Sequence, residues 1–350
     1  MGNNKIYIIS NESIQEESKK YFCDNLDLKS IPEGLDKNFD VSVIARRSKS
    51  TRYHSINNIN IQVAKNLLIF IKLIFASLKN KDKAKYLIIS ISPYTFIACI
   101  ILYLSKIRPL VYLRSNGYQE YKSIFGFVGV PIYHFMFFIT SITSNLISCR
   151  KHILRKKNGK IISPSQLSDQ WFKHHDEVQQ DKIKLLYVGR LKVEKGIFSF
   201  LKIFDNLNDK AQLTIVTAQK DHFKIEGKKN INCLGSQSEN SLIKVYDKHN
   251  IFILPSFTEA HPQVLDEALS RLRPVIVFNE IEHVKRDREG VFVCRRSAQD
   301  LNQKMDYIMN NYELIQMKIK KNKLPNKKTF LIELENLINL SSNKERWPSG

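Results

Sequence analysis

IFILPSFTEAHPQVLDEALSRLRPVIVF, residues 251 to 278, reads as strand, loop, helix and strand in succession. Ile251 to Leu254 is a short apolar run of the kind that fills a buried parallel strand, and Pro255 and Ser256 stop it. Thr258, Glu259, Ala260 and His261 then form a loop. Pro262 stands where a first helical residue is expected, and Val264, Leu265, Ala268, Leu269 and Leu272 recur on one helical face. Pro274 ends the helix, and Val275 to Phe278 returns as a strand. In an open α/β sheet, ligands bind in loops between a strand's carboxyl end and a helix's amino end, because unpaired N–H groups and the helix dipole point there. Glu259 and Glu267 are thereby placed beside one pocket.

A second loop of this kind lies upstream. Ile183 to Val188 is a clean strand, and Gly189-Arg190-Leu191-Lys192-Val193-Glu194-Lys195-Gly196 leads from it into a helix beginning near Ile197. The turn suits a diphosphate: Gly189 allows close backbone approach, a guanidinium grips two oxygens, and Lys195 adds a point charge beside a helix amino terminus. GxxxxGK[ST] and GxGxxG are both absent, so neither a P-loop nor a dinucleotide fingerprint is present. Alone, the stretch reads equally well as a helix-opening turn with solvated charges.

The rest of the chain alternates in the same way. Strands are expected at Lys5 to Ser10, Val41 to Ala45, Tyr86 to Ile91, Pro109 to Leu113, Leu146 to Ser148 and Lys160 to Ser163. A short helix and a loop fill 11–40. Ile59 to Leu78 is so densely apolar that it reads as one buried helix, and Pro93 opens another through Leu104. Further on come strands at Leu213 to Val216, Ile231 to Leu234 and Val291 to Cys294, and helices at Ser238 to Lys248, 298–311 and 326–339. Alternating β and α implies doubly wound sheets. KHHDEVQQDK, 173–182, is polar and without apolar period, which makes it the expected linker between a domain at 1–172 and one at 183–340, with 341–350 a tail.

Charge is uneven. Residues 1–175 carry 26 Lys and Arg against 11 Asp and Glu, whereas 176–350 carry 29 against 23. One half of the molecule should therefore meet something anionic. No nucleic-acid reader is recognisable. The basic segments alternate with long aliphatic and aromatic runs (NLLIFIKLIFASLK, FFITSITSNLISCRKHILRKK), which suits an anionic membrane surface. A solvated basic face is the plainer alternative. No apolar run reaches an uninterrupted span of about 20 residues, so no transmembrane helix is expected. Five scattered cysteines, never spaced C-x-x-C, indicate neither disulfides nor a zinc cluster. A cytoplasmic protein, peripheral on the inner face of the membrane, is the expected setting.

VGRLKVEKG and LPSFTEAHPQVLDEALSRLRPVI resemble the paired signatures of family 4 glycosyltransferases of the bacterial surface-polysaccharide type, the second being a Glu, seven residues and another Glu. The resemblance covers roughly 183 to 310. It implies the GT-B fold, two Rossmann-like domains facing each other across a cleft. It also implies a retaining transferase without metal or other cofactor, moving a sugar from a nucleotide-diphosphate sugar to a lipid-linked or surface-glycan acceptor of capsule, O-antigen or lipopolysaccharide. Arg190 and Lys195, with Gly189, would bind the donor diphosphate. Glu259 would contact the transferred sugar, the backbone of His261, Pro262, Gln263 and Val264 would approach donor oxygens, and Glu267 would hold the ribose. Alone, Glu267 reads equally as an exposed helix carboxylate, and Glu259 as a capping one.

Departures bear on donor identity. The family usually has Gly where Ala260 and Leu272 stand and an aliphatic or aromatic residue at His261; Thr217 to Asp221 replaces a glycine-rich turn. Leu272 suggests a different helix ending, and Ala260 a shifted loop unless its φ is negative. The amino half resembles the family only in layout. There Arg114, Ser115 and Asn116 follow a strand end where an acceptor contact is expected, and Asn116-Gly117 reads equally as an ordinary turn. Lys151, His152, Arg155, Lys156 and Lys157 form a basic surface cluster. A non-catalytic nucleotide-sugar-binding scaffold and a nucleotide-sugar epimerase are the two alternatives.

Overall fold

The structure, a computed structural model, describes residues 4–52, 54–57, 59–175, 177–178, 180–207, 210–217 and 230–341. They form two units. One runs to Gln166 and takes up the chain again from Lys327, and the other is Leu167–Asn326.

In the first unit, β1 (Asn4–Glu17), β2 (Lys20–Cys23), α1 (Leu26–Leu35), β3 (Phe39–Arg47), β4 (His54–Ile56) and β5 (Asn60–Ala64) precede α2 (Leu67–Ser77) and β6 (Ala84–Ile89). Then come α3 (Pro93–Leu104), β7 (Leu110–Leu113), α4 (Gly117–Phe125), α5 (Gly129–Thr143), β8 (Asn145–Ser148) and β9 (Gly159–Ile161). Seven strands run parallel in the order β5-β3-β1-β6-β7-β8-β9, and β2 and β4 add an antiparallel ribbon at the far end of β1.

Two sequence expectations change here. The 59–78 stretch is not one helix: β-branched Ile61 and Val63 lie in an edge strand paired with β3, and Asn66 accepts from the Ile69 N–H to start α2 afterwards. The segment 11–40 holds a strand extension and a hairpin strand besides its helix. By length and composition alone the stretch Gly117–Thr143, which comprises α4 and α5, is long and apolar enough to cross a membrane.

The second unit comprises β10 (Ile183–Val188), α6 (Ile197–Phe204), β11 (Ala211–Val216), β12 (Ile231–Leu234), α7 (Glu239–Asp247) and β13 (Ile251–Leu254). It continues with α8 (Gln263–Ser270), β14 (Val275–Phe278), β15 (Val291–Cys294), α9 (Ala298–Asn310) and α10 (Tyr312–Ile319). All six strands are parallel, ordered β12-β11-β10-β13-β14-β15. Strand order reverses between β10 and β13, where Leu185 faces Ile251. Burial of every residue of β13 and β14 explains their unbroken apolar sequence, each large side chain contributing about 1.5–3 kcal/mol. Asn311 ends α9, so the expected 298–311 helix is followed by a separate helix. Of the Thr217 to Asp221 turn, only Thr217 lies among the described residues.

The units divide elsewhere than at a 173–182 linker. Trp171 is 3% exposed, and its indole donates to Glu239 at 3.0 Å. Arg271, wholly buried after α8, makes a double contact with Asp247 at 2.9 and 2.7 Å. Its remaining protons go to the carbonyls of Trp171, Lys173 and His174 at 3.0, 2.7 and 2.6 Å. The start of the expected linker is thus fastened to the second unit. The last helix, α11 (Lys327–Leu340), returns to the first unit, because Phe330, Leu334 and Ile338 form one apolar stripe in the core with Leu28, Ile31 and Tyr112.

Removing one member of a buried ion pair leaves the other uncompensated. Asp247 serves two buried arginines, so Asp247→Leu, which strands both, is expected to destabilise the protein by about 3–5 kcal/mol in urea unfolding, and Arg271→Met, which leaves Asp247 its contact with Arg273, by less.

Candidate functional site

Both loops singled out in the sequence leave the carboxyl ends of β10 and β13, the two strands that flank the reversal in strand order. Parallel sheets bind ligands at this position, because helices on either side diverge and leave a crevice. Gly196 brings the loops together. It takes φ +66°, and a Cβ on it would lie 1.9 Å from the Pro255 carbonyl oxygen, so only glycine allows the first loop to pass under the second. The Phe257 amide donates to the Glu194 carbonyl at 3.0 Å, a second tie.

Across this contact Lys195 Nζ meets Glu259 Oε1 at 2.6 Å. The buried Ser256 hydroxyl donates to the same oxygen at 2.7 Å. Lys195 is 24% exposed and Glu259 only 9%, so the ammonium remains the accessible partner. Arg190, on the same loop as Lys195, is exposed, its carbonyl accepting from the Tyr187 hydroxyl at 2.7 Å. An accessible guanidinium and an ammonium beside a backbone turn can hold a diphosphate, and the carboxylate can take hydroxyl hydrogen bonds from a sugar.

Behind the acidic loop lies a support that the sequence reading missed. Asp266, fully buried, meets Arg288 Nη2 at 2.5 Å and His261 Nε2 at 3.4 Å. Arg286 reaches the other ring nitrogen, Nδ1, at 3.0 Å. Guanidinium can only donate, so Nδ1 accepts and the imidazole proton sits on Nε2, toward Asp266. The His261 side chain is 4% exposed, which makes it a brace for the loop. Arg296 is a second brace: it lies over the rings of Phe257 and Phe278 at 4.4 and 4.3 Å and donates to the Pro255 carbonyl at 2.9 Å. The adjacent Asp266-Glu267 was the one local sign of a buried carboxylate; the arginines come from too far along the chain to be read.

Pro262 is the N-cap of α8 rather than its first helical residue, and it brings no capping side chain. Gln263 and Val264, both half-buried, open the helix directly after the loop. One turn on, Glu267 accepts from the Tyr246 hydroxyl at 2.8 Å. Burial raises its carboxyl to about 7, against the Tyr246 hydrogen bond and with the charge of Asp266 adding. Ala260 is not among the residues with positive φ, so alanine fits the glycine position of the resembled family. Leu272 does take φ +58°. The amide of Arg273 reaches Ala268 O at 2.9 Å and that of Leu272 reaches Leu269 O at 3.0 Å, a Schellman ending. The helix therefore ends as it would with glycine, at a strain of about 1–2 kcal/mol set against burial of the leucine side chain.

Gly189, Arg190, Lys195, Glu259, His261 to Val264 and Glu267 thus converge in one unit. Arg114, Ser115 and Asn116 belong to the other. There Arg114 meets Glu12 at 3.0 Å and Asp27 at 3.5 Å, so its guanidinium holds β1 and α1 at the end of β7. Among the described residues no group of three or more His, Cys, Asp or Glu could hold a metal ion.

Residues 169–324 match the family model described as glycosyl transferases group 1, nearly the span of the second unit. An uncharacterized glycosyltransferase of Methanocaldococcus jannaschii is 22% identical over 153 residues, 40% of this chain and 39% of the relative. The match thus spans about two fifths of that relative. Among solved structures, HepE of Anabaena in complex with UDP and glucose is similar with a TM-score of 0.67 at 11% identity, covering 96% of this chain and 99% of that one. WaaG, a glycosyltransferase involved in lipopolysaccharide biosynthesis, is similar with a TM-score of 0.67 at 11% identity, covering 96% and 100%. At such identity the likeness is one of fold, and the fold is GT-B, with two Rossmann-like units.

The Glu267 carboxyl gives a stability test. Its folded value lies above the ordinary carboxyl range, so its favourable contribution is complete below about pH 4.5 and is lost as pH rises through about 7. Between about pH 5 and about pH 8, the wild type is expected to lose roughly 2 kcal/mol relative to Glu267→Gln, measured by urea unfolding of both proteins.

Proposed function

We propose that this chain is a retaining glycosyltransferase, moving a sugar from a nucleotide-diphosphate sugar to a lipid-linked or surface-glycan acceptor in the assembly of capsule, O-antigen or lipopolysaccharide. The observation that carries the reading is the meeting of the two loops at the reversal between β10 and β13, with Lys195 Nζ 2.6 Å from Glu259 Oε1. The family match over 169–324 and the UDP and glucose held by the Anabaena protein support the donor class, and the involvement of WaaG in lipopolysaccharide biosynthesis supports the acceptor class.

In this mechanism Arg190 and Lys195 stabilise the charge that grows on the diphosphate as the glycosidic bond breaks, the step at which fixed cations contribute most. The departing phosphate oxygen takes the proton of the acceptor hydroxyl arriving on the same face, so retention needs no histidine base. Glu259, fixed by Ser256, orients the sugar through its hydroxyls. Glu267 holds the ribose, and ribose hydroxyls donating to it favour the ionised form, so nucleotide binding draws a proton from this carboxyl. His261 acts through Asp266 and the loop backbone. In the first unit, Ser115 and Asn116 follow a strand end that Arg114 holds in place, and they are the acceptor-side residues of the proposal. The five cysteines form no disulfide, and a reducing cytoplasm is the proposed compartment.

Nucleotide release from a panel of donors tests the assignment. Arg190→Ala, Lys195→Ala and Glu259→Ala are each expected to lower kcat/KM roughly a hundredfold or more. Near-normal transfer by all three would overturn the site, and conversion of the donor sugar without acceptor would mark an epimerase instead.

A further inference from the structure

Away from the donor loops, the face of the first unit built by α4, α5 and the β8–β9 connection combines two features that the fold itself does not require. The first is apolar exposure at helical spacing. Val128, just ahead of α5, and Ile132, Phe135, Phe138 and Ile142 along it are 66, 46, 61, 45 and 38% exposed. Phe127, in the turn before α5, is 83% exposed. The opposite stripe of the same helix, including Tyr133, Met136, Phe137 and Thr140, is buried in the unit. A helix on a water-facing surface carries polar residues on its outer side, and this one carries rings and branched aliphatics.

The second feature is a cluster of cations. The β8–β9 connection forms an open depression of about 850 Å³ whose cations are Lys151, Arg155, Lys156, Lys157 and Lys160. A neighbouring one of about 560 Å³ sets Arg155, Lys156 and Lys157 against Tyr118, His134 and Phe138. None of the residues lining either depression is acidic. Cations and rings interleave: Arg155 lies 3.9 Å from the Tyr118 ring, Lys157 5.0 Å from that of Phe138, and Lys122 5.1 Å from that of Phe127.

We propose that this face docks on an anionic lipid bilayer, with the outer stripe of α5 and Phe127 in the interfacial layer and lipid phosphates in the cationic depressions. Charge complementarity selects an anionic partner, and the continuous apolar stripe selects lipid over nucleic acid, which offers phosphates but no hydrocarbon. The helical stretch lies on the bilayer and does not cross it. It turns at Gly126, with φ +63°, and the inner stripe of α5 is already committed to the core of its unit. This docking is independent of the chemistry proposed for the second unit.

Co-sedimentation of the full chain tests it, using vesicles of phosphatidylcholine alone and of phosphatidylcholine with roughly one third phosphatidylglycerol. Binding is expected only to the anionic vesicles, and it should fall with added salt. A cation near such a surface is worth about fivefold in affinity, so Lys156→Glu with Lys157→Glu should weaken binding at least about tenfold. Phe127→Ser with Phe135→Ser should also weaken it at unchanged surface charge, and Phe127→Trp should show a blue-shifted emission on binding. Phe127, Phe135 and Lys156 are exposed and Lys157 is partly so, and the variants should keep the wild-type thermal transition. Equal binding to both vesicle types, indifference to either double variant, displacement by millimolar inorganic phosphate, or capture of duplex DNA with vesicles left unbound would overturn the proposal.

Discussion

One charge contact across two loops organises the second unit. Lys195 and Glu259 sit on different strand–helix connections, and they meet only because Gly196 lets one backbone run against the Pro255 carbonyl of the other. Strand order supplies the remaining condition. β10 and β13 are neighbours whose following helices lead away to opposite sides, so both loops border the same crevice. A loop that carries a cation and a loop that carries a carboxylate are thereby joined.

Arginine is spent inside this unit as well as on its surface. Arg271, Arg273 and Arg288 are nearly or wholly buried, and each has a buried aspartate as partner. Arg271 and Arg273 share Asp247 beneath α8, while Arg288 meets Asp266 within it. Such pairs contribute little net stability, yet removal of one partner is costly, so they fix where α8 and its preceding loop stand. The position of Glu259 and Glu267 therefore depends on residues that never face the crevice.

Much of the second unit was legible in the sequence. β10, β12, β13, β14 and β15 have the limits that short apolar runs between turn residues suggest, and β13 and β14, buried on both faces, need unbroken apolar sequence. Legibility failed where long-range contacts decide. Asn60 to Ala64 became a strand because β3 offers an edge. Residues 173 and 174 left the linker because Arg271 collects their carbonyls. α11 joined the first unit because its stripe fits that core. Of the site, the charged residues and their spacing were readable. The braces of His261 by Asp266 and Arg286, and of the Pro255 turn by Arg296, were not, since nothing local marks which arginine will reach them. Arg114 shows the converse: a basic residue at a strand end looked available, and two carboxylates distant in sequence engage it.

In the proposed function, Arg190 and Lys195 grip a diphosphate. Calorimetric titration of the protein with a nucleoside diphosphate and the matching monophosphate tests it most directly. The diphosphate should bind at least about tenfold tighter, and Lys195→Ala should remove most of that difference while leaving the monophosphate affinity nearly unchanged. Equal affinities for the two nucleotides, or a difference that survives in the Lys195→Ala protein, would contradict it.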